Sequence, residues 1–214
     1  YISDNGYQLN DHKRFEKHTM WEEAVHQPMI IKAGNSFDKG VQKHALVEYI
    51  DVVPTIVDWI GLKPMPEAQG KSFLPVLRNE TEIHKEFAFA EYLEDNLAMV
   101  CTTKWKYIFT TGSRDLGIGY ATGYGPSGIV HRLYDLEADP AEKHDVSKEP
   151  QNTETLSHLQ QLMLQRFIET HPDAAKCPGD LTMEGKLVWF CEPRDVGVDQ
   201  SLKDAPVRVF KNTN

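Results

Sequence analysis

The feature that most constrains the fold of this chain is a series of apolar, strand-like segments in its middle. Three of these segments follow one another at 87–93, 97–103 and 105–111, and a fourth covers 132–136. Consecutive strands with short links pair antiparallel, because parallel neighbours need a long crossover connection between them. The sequence therefore predicts a small antiparallel sheet in this region.

An amphipathic helix is predicted after the sheet, over about 153–170, with Asn152 or Thr153 as the capping residue. Its apolar face is formed by four residues with helical spacing: Leu156, Leu159, Met163 and Phe167. The sheet and this helix together predict an α+β subdomain over residues 86–175.

Residues 1–85 carry shorter and less regular patterns. Buried strands are predicted at 1–3 and 29–31, and a helical segment at 15–26. A helix that starts at Pro54 and stops at Gly61 follows, and then a helical turn over 71–77. The last part, 176–214, is predicted to be a loop-rich tail with one strand at 186–191.

Net charge constrains the class of partner. The chain has 32 acidic and 23 basic residues, a net charge of −9 at neutral pH. A surface this acidic argues against a nucleic-acid partner, which needs a basic face for the phosphate backbone. It does not exclude a small anionic substrate, because a lysine and a metal ion can reverse the sign within a pocket. No run approaches the ~20 apolar residues of a membrane span.

The three cysteines, Cys101, Cys177 and Cys191, lie far apart and form no CxxC pair. We therefore expect no zinc site. One disulfide with one free thiol and three reduced thiols are both compatible with the sequence, so the cysteines do not assign a compartment.

Candidate site residues lie close to the start of the chain. Asp4 and Asn5 offer hard oxygen ligands of the kind that Ca²⁺ or Mg²⁺ prefers, and Gly6 lets the backbone turn sharply after them. Taken alone, such a triplet is typical of an ordinary turn. Lys17, thirteen residues after Asp4, offers a positive charge for an anionic group, or is a solvent-exposed helical lysine.

Four segments, taken together and in this order, resemble the second half of the type I sulfatases, which belong to the alkaline-phosphatase-like superfamily. They are residues 3–31 (with SDNG, EKHTMWEEAV and QPMII), 49–62 (YIDVVPTIVDWIGL), 69–77 (QGKSFLPVL) and 132–142 (RLYDLEADPAE). The resemblance implies that residues 1–85 are the C-terminal part of an α/β catalytic domain and that 86–175 are the C-terminal antiparallel-sheet subdomain.

The resemblance also implies roles for individual residues. Asp4 and Asn5 would bind a divalent metal ion, Ca²⁺ or Mg²⁺, and Lys17 would be catalytic and bind the sulfate or its bridging oxygen. His12 and His18 are further candidates for substrate binding because they lie near these residues in the sequence. Against His18 stands its position beside Lys17, since adjacent helical residues point in different directions. Glu22 and Glu23 are interpreted as structural.

One element of the sulfatase pattern is absent from the sequence. Type I sulfatases carry a cysteine or serine in a C/S-x-P-x-R motif, which is oxidised to formylglycine and supplies the nucleophile. The nearest string here, Cys191-Glu192-Pro193-Arg194, is one residue short and lies at the wrong end. We therefore expect the nucleophile, and the family's first pair of metal-binding aspartates, to lie in an N-terminal part of the same enzyme.

The sequence as a whole predicts the C-terminal part of a sulfuric ester hydrolase that acts on a small-molecule or saccharide sulfate ester. A phosphate or phosphonate ester hydrolase of the same superfamily is one alternative, and a catalytically inactive binding or structural fragment is another. The resemblance implies a periplasmic, extracellular or lysosomal location without choosing among the three.

Overall fold

A four-stranded antiparallel sheet forms the centre of the structure, a computed structural model that describes residues 1–92, 97–111 and 129–191. The strands are β1 (Ala88–Tyr92), β2 (Leu97–Cys101), β3 (Trp105–Thr110) and β4 (Val130–Asp135), and they pair in the order β1-β2-β3-β4. Every pairing is antiparallel, so the predicted sheet is confirmed.

The two faces of this sheet bury different parts of the chain. One face carries Ala98, Val100 and Tyr107, and it packs against helix α4 (Thr153–Thr170). As predicted, α4 buries Leu159, Met163 and Phe167, while Leu156 is partly buried. The helix begins one residue after Asn152, whose side chain makes no capping hydrogen bond.

The opposite face of the sheet packs against a segment near the start of the chain. Alternate residues of the same strands, among them Met99 and Ile108, form a second apolar cluster with Met20 and Trp21. This alternation follows from strand geometry, in which successive side chains point to opposite faces. The sheet is therefore covered on one side by α4 and on the other by the segment around Trp21.

The predicted strand at 186–191 is wrong: these residues belong to helix α5 (Met183–Cys191). Aromatic and β-branched residues in this run favour a strand when it is considered alone. In the structure Leu187, Phe190 and Cys191 are buried at helical spacing in the same cluster as α4. Packing therefore overrides local propensity, and the predicted loop-rich tail contains a helix.

The predicted helical segment at 15–26 is helical only in its last turn, α1 (Glu22–Val25). Residues 16–20 run in irregular conformation, since Glu16 and Thr19 are buried against other segments and Met20 against the sheet. The prediction rested on the apolar residues Phe15, Met20, Trp21 and Val25, of which Met20 and Trp21 are buried from a non-helical segment and Phe15 is exposed.

The two strands predicted at 1–3 and 29–31 reduce to one antiparallel bridge between Ile2 and Met29. The prediction that they are buried is wrong for the described structure, because Ile2 is 45% exposed, Ile30 62% and Ile31 44%. Within the described ranges no further strand pairs with either of them to cover these side chains.

The remaining helices agree closely with the sequence pattern. Helix α2 (Val52–Trp59) begins two residues before Pro54 and ends two residues before Gly61, whose φ of 74° is the left-handed conformation that glycine favours. The predicted turn over 71–77 is helix α3 (Leu74–Leu77).

The structure resolves the alternatives left open for the cysteines. None of the three cysteines forms a disulfide with another, and Cys101 and Cys191 are buried. Burial raises the pKa of the Cys101 thiol to about 11, so it is protonated at neutral pH. Among the helices of the described ranges, none is both long and apolar enough to cross a bilayer.

The central role of α4 gives a stability prediction. We expect Phe167→Ala to lower the free energy of unfolding by about 3–5 kcal/mol, because its ring is fully buried between Phe89 and Phe190. The matched control is Ile168→Ala on the same helix, whose side chain is exposed and whose loss should cost less than about 1 kcal/mol. Denaturant unfolding measures both variants, and equal losses would contradict the placement of the core.

Candidate functional site

Two short segments lie side by side and bring the predicted site residues into one region. The amide of Gly6 donates to the carbonyl of Ala24 at 3.0 Å, and the amide of Gln8 donates to the carbonyl of Glu16 at 2.7 Å. These hydrogen bonds hold residues 4–8 beside residues 16–24, so Asp4 and Lys17 lie on neighbouring backbone segments.

Glycine is required at position 6 for a different reason from the one that its sequence context suggests. A Cβ atom at this position would lie 1.8 Å from the carbonyl oxygen of Glu23, while the φ of Gly6 is not in the left-handed region. The glycine is therefore needed for the close approach of two backbones and not for a sharp turn. The expectation of a sharp turn at Gly6 was wrong in its physical reason.

The carboxylate of Asp4 is exposed and is oriented by its own neighbour. The amide of Asn5 donates to Asp4 Oδ1 at 3.0 Å, the Ser3 hydroxyl donates to the Asn5 carbonyl at 2.9 Å, and the Tyr49 hydroxyl donates to the carbonyl of Ser3. These bonds fix the main chain and leave Asp4 Oδ2 and the Asn5 side-chain oxygen as hard donors. Their chemistry fits a hard divalent cation, although Ca²⁺ takes about 6–8 oxygen ligands, so other groups must complete the shell.

An open cleft of about 1830 Å³ unites four of the five predicted residues. Its wall includes Asp4, Asn5, Lys17 and His18, and it continues over 28–49 and along β1. Lys17 is exposed to this cleft, and the His18 ring stacks on Tyr92 with ring centres 4.7 Å apart. The cleft is therefore lined by a lysine, which suits an anion, and by two hard oxygen donors, which suit a cation.

His12 is placed differently from the other candidates. Its ring stacks on Trp21 at 4.3 Å and is nearly parallel to it, and its Nε2 lies 3.8 Å from a carboxylate oxygen of Glu23. Burial lowers the pKa of His12 despite the nearby carboxylate, which favours the neutral ring. Within the described ranges it is not part of the cleft wall, so its role as a substrate ligand stays a prediction that this geometry does not favour.

The backbone that carries Lys17 is held by buried polar groups on both sides. Glu16 is buried and accepts a hydrogen bond from Arg14 at 2.6 Å. On the other side Thr19 is buried and accepts a bond of 3.4 Å from the side chain of Gln8, which also donates to Glu23 at 3.1 Å. An exposed lysine between two anchored residues has little freedom of its main chain.

A largely buried ion network, which reaches the cleft at Glu22, was not found from the sequence. Lys106 of β3 is fully buried, its ammonium pairs with Glu22 of α1, and it lies 2.9 Å from Oε1 of Glu142. Glu142 is also buried, and its other oxygen accepts the backbone amide of Glu22 at 2.6 Å. The only sequence signal was that Glu22 and Glu142 each lie in a segment with family resemblance, while Lys106 interrupts an apolar strand.

The electrostatics of this network separate its two carboxylates. Burial opposes the ionisation of Glu22, but the hydrogen bond with His26 and the charge of Lys106 outweigh it and lower the pKa of Glu22 to about 2. Burial dominates at Glu142 and raises the pKa of its carboxyl in spite of Lys106. Glu22 is therefore the firmly ionised partner of the lysine.

His12, Glu23 and Glu142 also form a group whose ligand atoms lie within 4.8 Å of one another, a spacing that a metal ion could bridge. However, the ammonium of Lys106 already contacts Glu142 and supplies a positive charge there. We therefore interpret the group as part of the ion network.

Comparison with protein families identifies the region that contains this network. Residues 10–169 match the family described as N-sulphoglucosamine sulphohydrolase, C-terminal. Among curated proteins, the arylsulfatase K of Homo sapiens is 30% identical over 169 residues, which are 73% of this chain and 29% of that protein. An N-acetylglucosamine-6-O-sulfatase of Bacteroides thetaiotaomicron is 25% identical over 171 residues, which are 76% of this chain and 28% of that protein. The chain thus spans less than a third of the length of these two relatives.

Solved structures agree in fold. One, in complex with its substrate D-glucosamine-2-N,6-O-disulfate, is 25% identical with a TM-score of 0.67, and the match covers 81% of this chain and 35% of that chain. A phosphonate monoester hydrolase from Silicibacter pomeroyi is 22% identical with a TM-score of 0.61, covering 86% of this chain and 37% of that one, and it is similar in fold alone.

The contact of Gly6 with Glu23 gives a prediction about the site. Gly6→Ala should push the two site segments apart and cost about 1–3 kcal/mol of stability, because the new methyl group meets a backbone carbonyl that cannot rotate away. Gly179→Ala is the control, since its Cβ would have open space and its φ is not left-handed. Thermal unfolding of both variants tests this, and a Gly6→Ala variant as stable as the control would contradict the packing described here.

Proposed function

This chain belongs to the family of sulfatase C-terminal domains described as N-sulphoglucosamine sulphohydrolase, C-terminal, and from this premise we propose that it is the C-terminal part of a sulfuric ester hydrolase. The observation that carries the proposal is that Asp4, Asn5 and Lys17 all line one open cleft. A lysine, together with a cation held by hard oxygen donors, suits a tetrahedral oxyanion such as a sulfate ester.

In this proposal different residues of the cleft bind the metal ion and the substrate. Asp4 and Asn5 would hold a divalent cation, Ca²⁺ or Mg²⁺, together with ligands from elsewhere in the enzyme. Such a cation, when bound, offsets charge on the sulfate oxygens. Lys17 would bind the sulfate or the bridging oxygen, and His18, fixed by its stacking on Tyr92, would border the substrate.

Lys17 would act most strongly in the transition state. As the bond from sulfur to the bridging oxygen breaks, negative charge grows on the departing oxygen, and a fixed ammonium stabilises it more than it stabilises the bound substrate. The buried neighbours Glu16 and Thr19 support this role, because they restrict movement of the main chain at Lys17 during the reaction.

The nucleophile, which in type I sulfatases is a formylglycine, would come from an N-terminal part of the same enzyme, along with the remaining metal ligands. The lack of a C/S-x-P-x-R string in this sequence supports this division. Exposed apolar side chains on and near α2 support it too: Val53, Ile56, Trp59 and Ile60. An apolar patch of this kind suits an intramolecular contact with another part of the enzyme.

The substrate class that we propose is a saccharide sulfate ester. Support comes from two relatives, the N-acetylglucosamine-6-O-sulfatase and the solved structure with its disulfated glucosamine substrate. The cleft is broad and open, which suits a sugar ring better than a narrow pocket for a small alkyl ester would.

The test is an assay of the complete enzyme on glucosamine 6-sulfate, on 4-nitrophenyl sulfate and on a phenyl phosphonate monoester. Hydrolysis of the sulfates with little turnover of the phosphonate is the expected result. A reversed preference would favour a phosphonate ester hydrolase, and no turnover of any ester would favour a binding or structural role. The 214-residue chain alone should hydrolyse none of them, because metal ligands and lysine cannot replace a nucleophile.

Removing the proposed metal ligands should weaken metal binding unequally. In the complete enzyme Asp4→Ala should lower Ca²⁺ or Mg²⁺ affinity sharply, and Asn5→Ala should do so more mildly, because the first removes a charged ligand and the second a neutral one. Metal content by elemental analysis and activity at increasing metal concentration measure the effect. Asp180→Ala, at an exposed aspartate outside the cleft wall, is the control. Unchanged metal content in Asp4→Ala would leave residues 4–6 with a structural role alone.

Removing Lys17 should impair the chemistry and spare the fold. We expect Lys17→Ala to lower kcat about 10²-fold or more with little change in Tm, because an exposed lysine contributes little to stability. Lys17→Arg should also lose activity, since a planar guanidinium does not replace a compact ammonium. Lys13→Ala, at an exposed lysine nearby, is the control. Near-normal kcat/KM with a lower Tm in Lys17→Ala would make Lys17 a structural residue.

A further inference from the structure

The buried network around Lys106 joins three segments that are far apart in the sequence. Lys106 lies in the second position of β3, Glu22 begins α1, and Glu142 follows β4 after a turn. Each is also within reach of the others, because Glu142 accepts the backbone amide of Glu22 while it contacts the lysine. The sheet and the site segment are therefore connected by charges as well as by the apolar contacts of Met20 and Trp21.

Charge balance makes the network sensitive to the loss of any member. The fully buried ammonium of Lys106 contacts two carboxylates. His26, which is exposed, lies 2.6 Å from the Glu22 oxygen that does not contact the lysine. Breaking a buried ion pair by removing one partner leaves an uncompensated charge in a medium of low dielectric. Removal of Lys106 would therefore leave the Glu22 and Glu142 carboxylates without their buried cation.

The network fixes main-chain position and not only a side chain. The amide of Glu22 is bound at 2.6 Å by a buried carboxylate, and its side chain is bound by a buried ammonium. The preceding residue, Trp21, donates from its ring nitrogen to the Tyr134 hydroxyl at 3.2 Å. Two consecutive residues are thereby attached to β3, β4 and the turn after it, only four and five residues beyond Lys17.

We propose that Lys106 is a positioning residue for the sulfate-ester reaction, which acts by fixing Glu22 on the sheet and thereby holding Lys17 at its place in the cleft. This inference rests on the proposed function, and it assigns the antiparallel sheet a part in the reaction although β3 contributes no residue to the cleft wall within the described ranges. A displacement of about 1 Å at a reacting group costs about 10²-fold in rate, so a small shift of the site segment is enough.

A purely structural role for Lys106 would give different results from a positioning role. Lost stability lowers the amount of active enzyme and reduces the rates on all substrates equally. A displaced Lys17 instead weakens its assistance to the leaving oxygen, which matters most for esters whose leaving group is a poor one. In an enzyme that already lacks Lys17, this assistance is absent and cannot be weakened further. The losses in rate from the two substitutions are therefore not additive.

The experiment uses the complete enzyme in four forms: wild type, Lys106→Met, Lys17→Ala and the double variant. Each is assayed on 4-nitrophenyl sulfate, with a good leaving group, and on a saccharide sulfate, with a poor one. We expect Lys106→Met to lower kcat at least 10-fold on the saccharide ester and less on the nitrophenyl ester, with a smaller change in KM. In the Lys17→Ala background, Lys106→Met should lower kcat less than 2-fold.

Two further variants control for folding and for general effects of charge. Glu142→Gln keeps an acceptor of nearly the same shape and should show the same pattern with a smaller loss, in case Lys106→Met does not fold. Lys104→Met removes a half-exposed lysine just before β3, paired with Asp135 and Glu137, and should change neither rate. If Lys106→Met does not fold, the same pattern for Glu142→Gln against Lys17→Ala supports the proposal.

The positioning role would be overturned if Lys106→Met lowered kcat equally on both substrates. It would also be overturned if Lys106→Met lowered kcat by the same factor with and without Lys17. Neither result would affect the sulfatase activity of the wild type. A wild-type enzyme that hydrolyses neither sulfate would overturn the proposed function itself, and this inference with it.

Discussion

One buried ammonium group connects the apolar core of this protein to its candidate site. Lys106 has no exposed surface, and both of its carboxylate partners come from other parts of the chain. The sheet can hold this charge only because Glu22 and Glu142 approach it, and Glu22 approaches it only if the site segment lies on the sheet. The ion network therefore makes correct placement of the site a condition of a satisfied core.

The elements that sequence analysis predicted well are those whose pattern is local. The central strands are covered on both faces and so appear in the sequence as short apolar runs, while α4 buries one face and shows helical spacing. Helix α5 was predicted as a strand because its apolar residues are crowded, and only their contacts with α4 decide the conformation. The irregular segment at 16–20 has no repeating geometry, so no periodic pattern describes it.

The candidate site divides in a similar way. Asp4, Asn5 and Lys17 lie within one motif, so their resemblance to a family was enough to single them out, and all three line one open cleft, while their roles stay predictions. Lys106 and Glu142 lie 84 and 120 residues from Glu22, and no pattern in the sequence indicates that they meet. His12 shows the opposite case, because closeness in sequence suggested the cleft while stacking on Trp21 holds the ring elsewhere.

The two faces of the sheet are covered by segments from different parts of the chain, which limits how this fold can be recombined with another. Helix α4 follows the sheet in the sequence, but the cover of the other face precedes it by more than sixty residues. A genetic exchange that joined a foreign N-terminal half to this sheet at about residue 86 would remove Met20 and Trp21 from above Met99 and Ile108. The incoming half would need its own aromatic cover and its own acid for the buried lysine. The sheet is therefore not an interchangeable module, and the two halves must vary together.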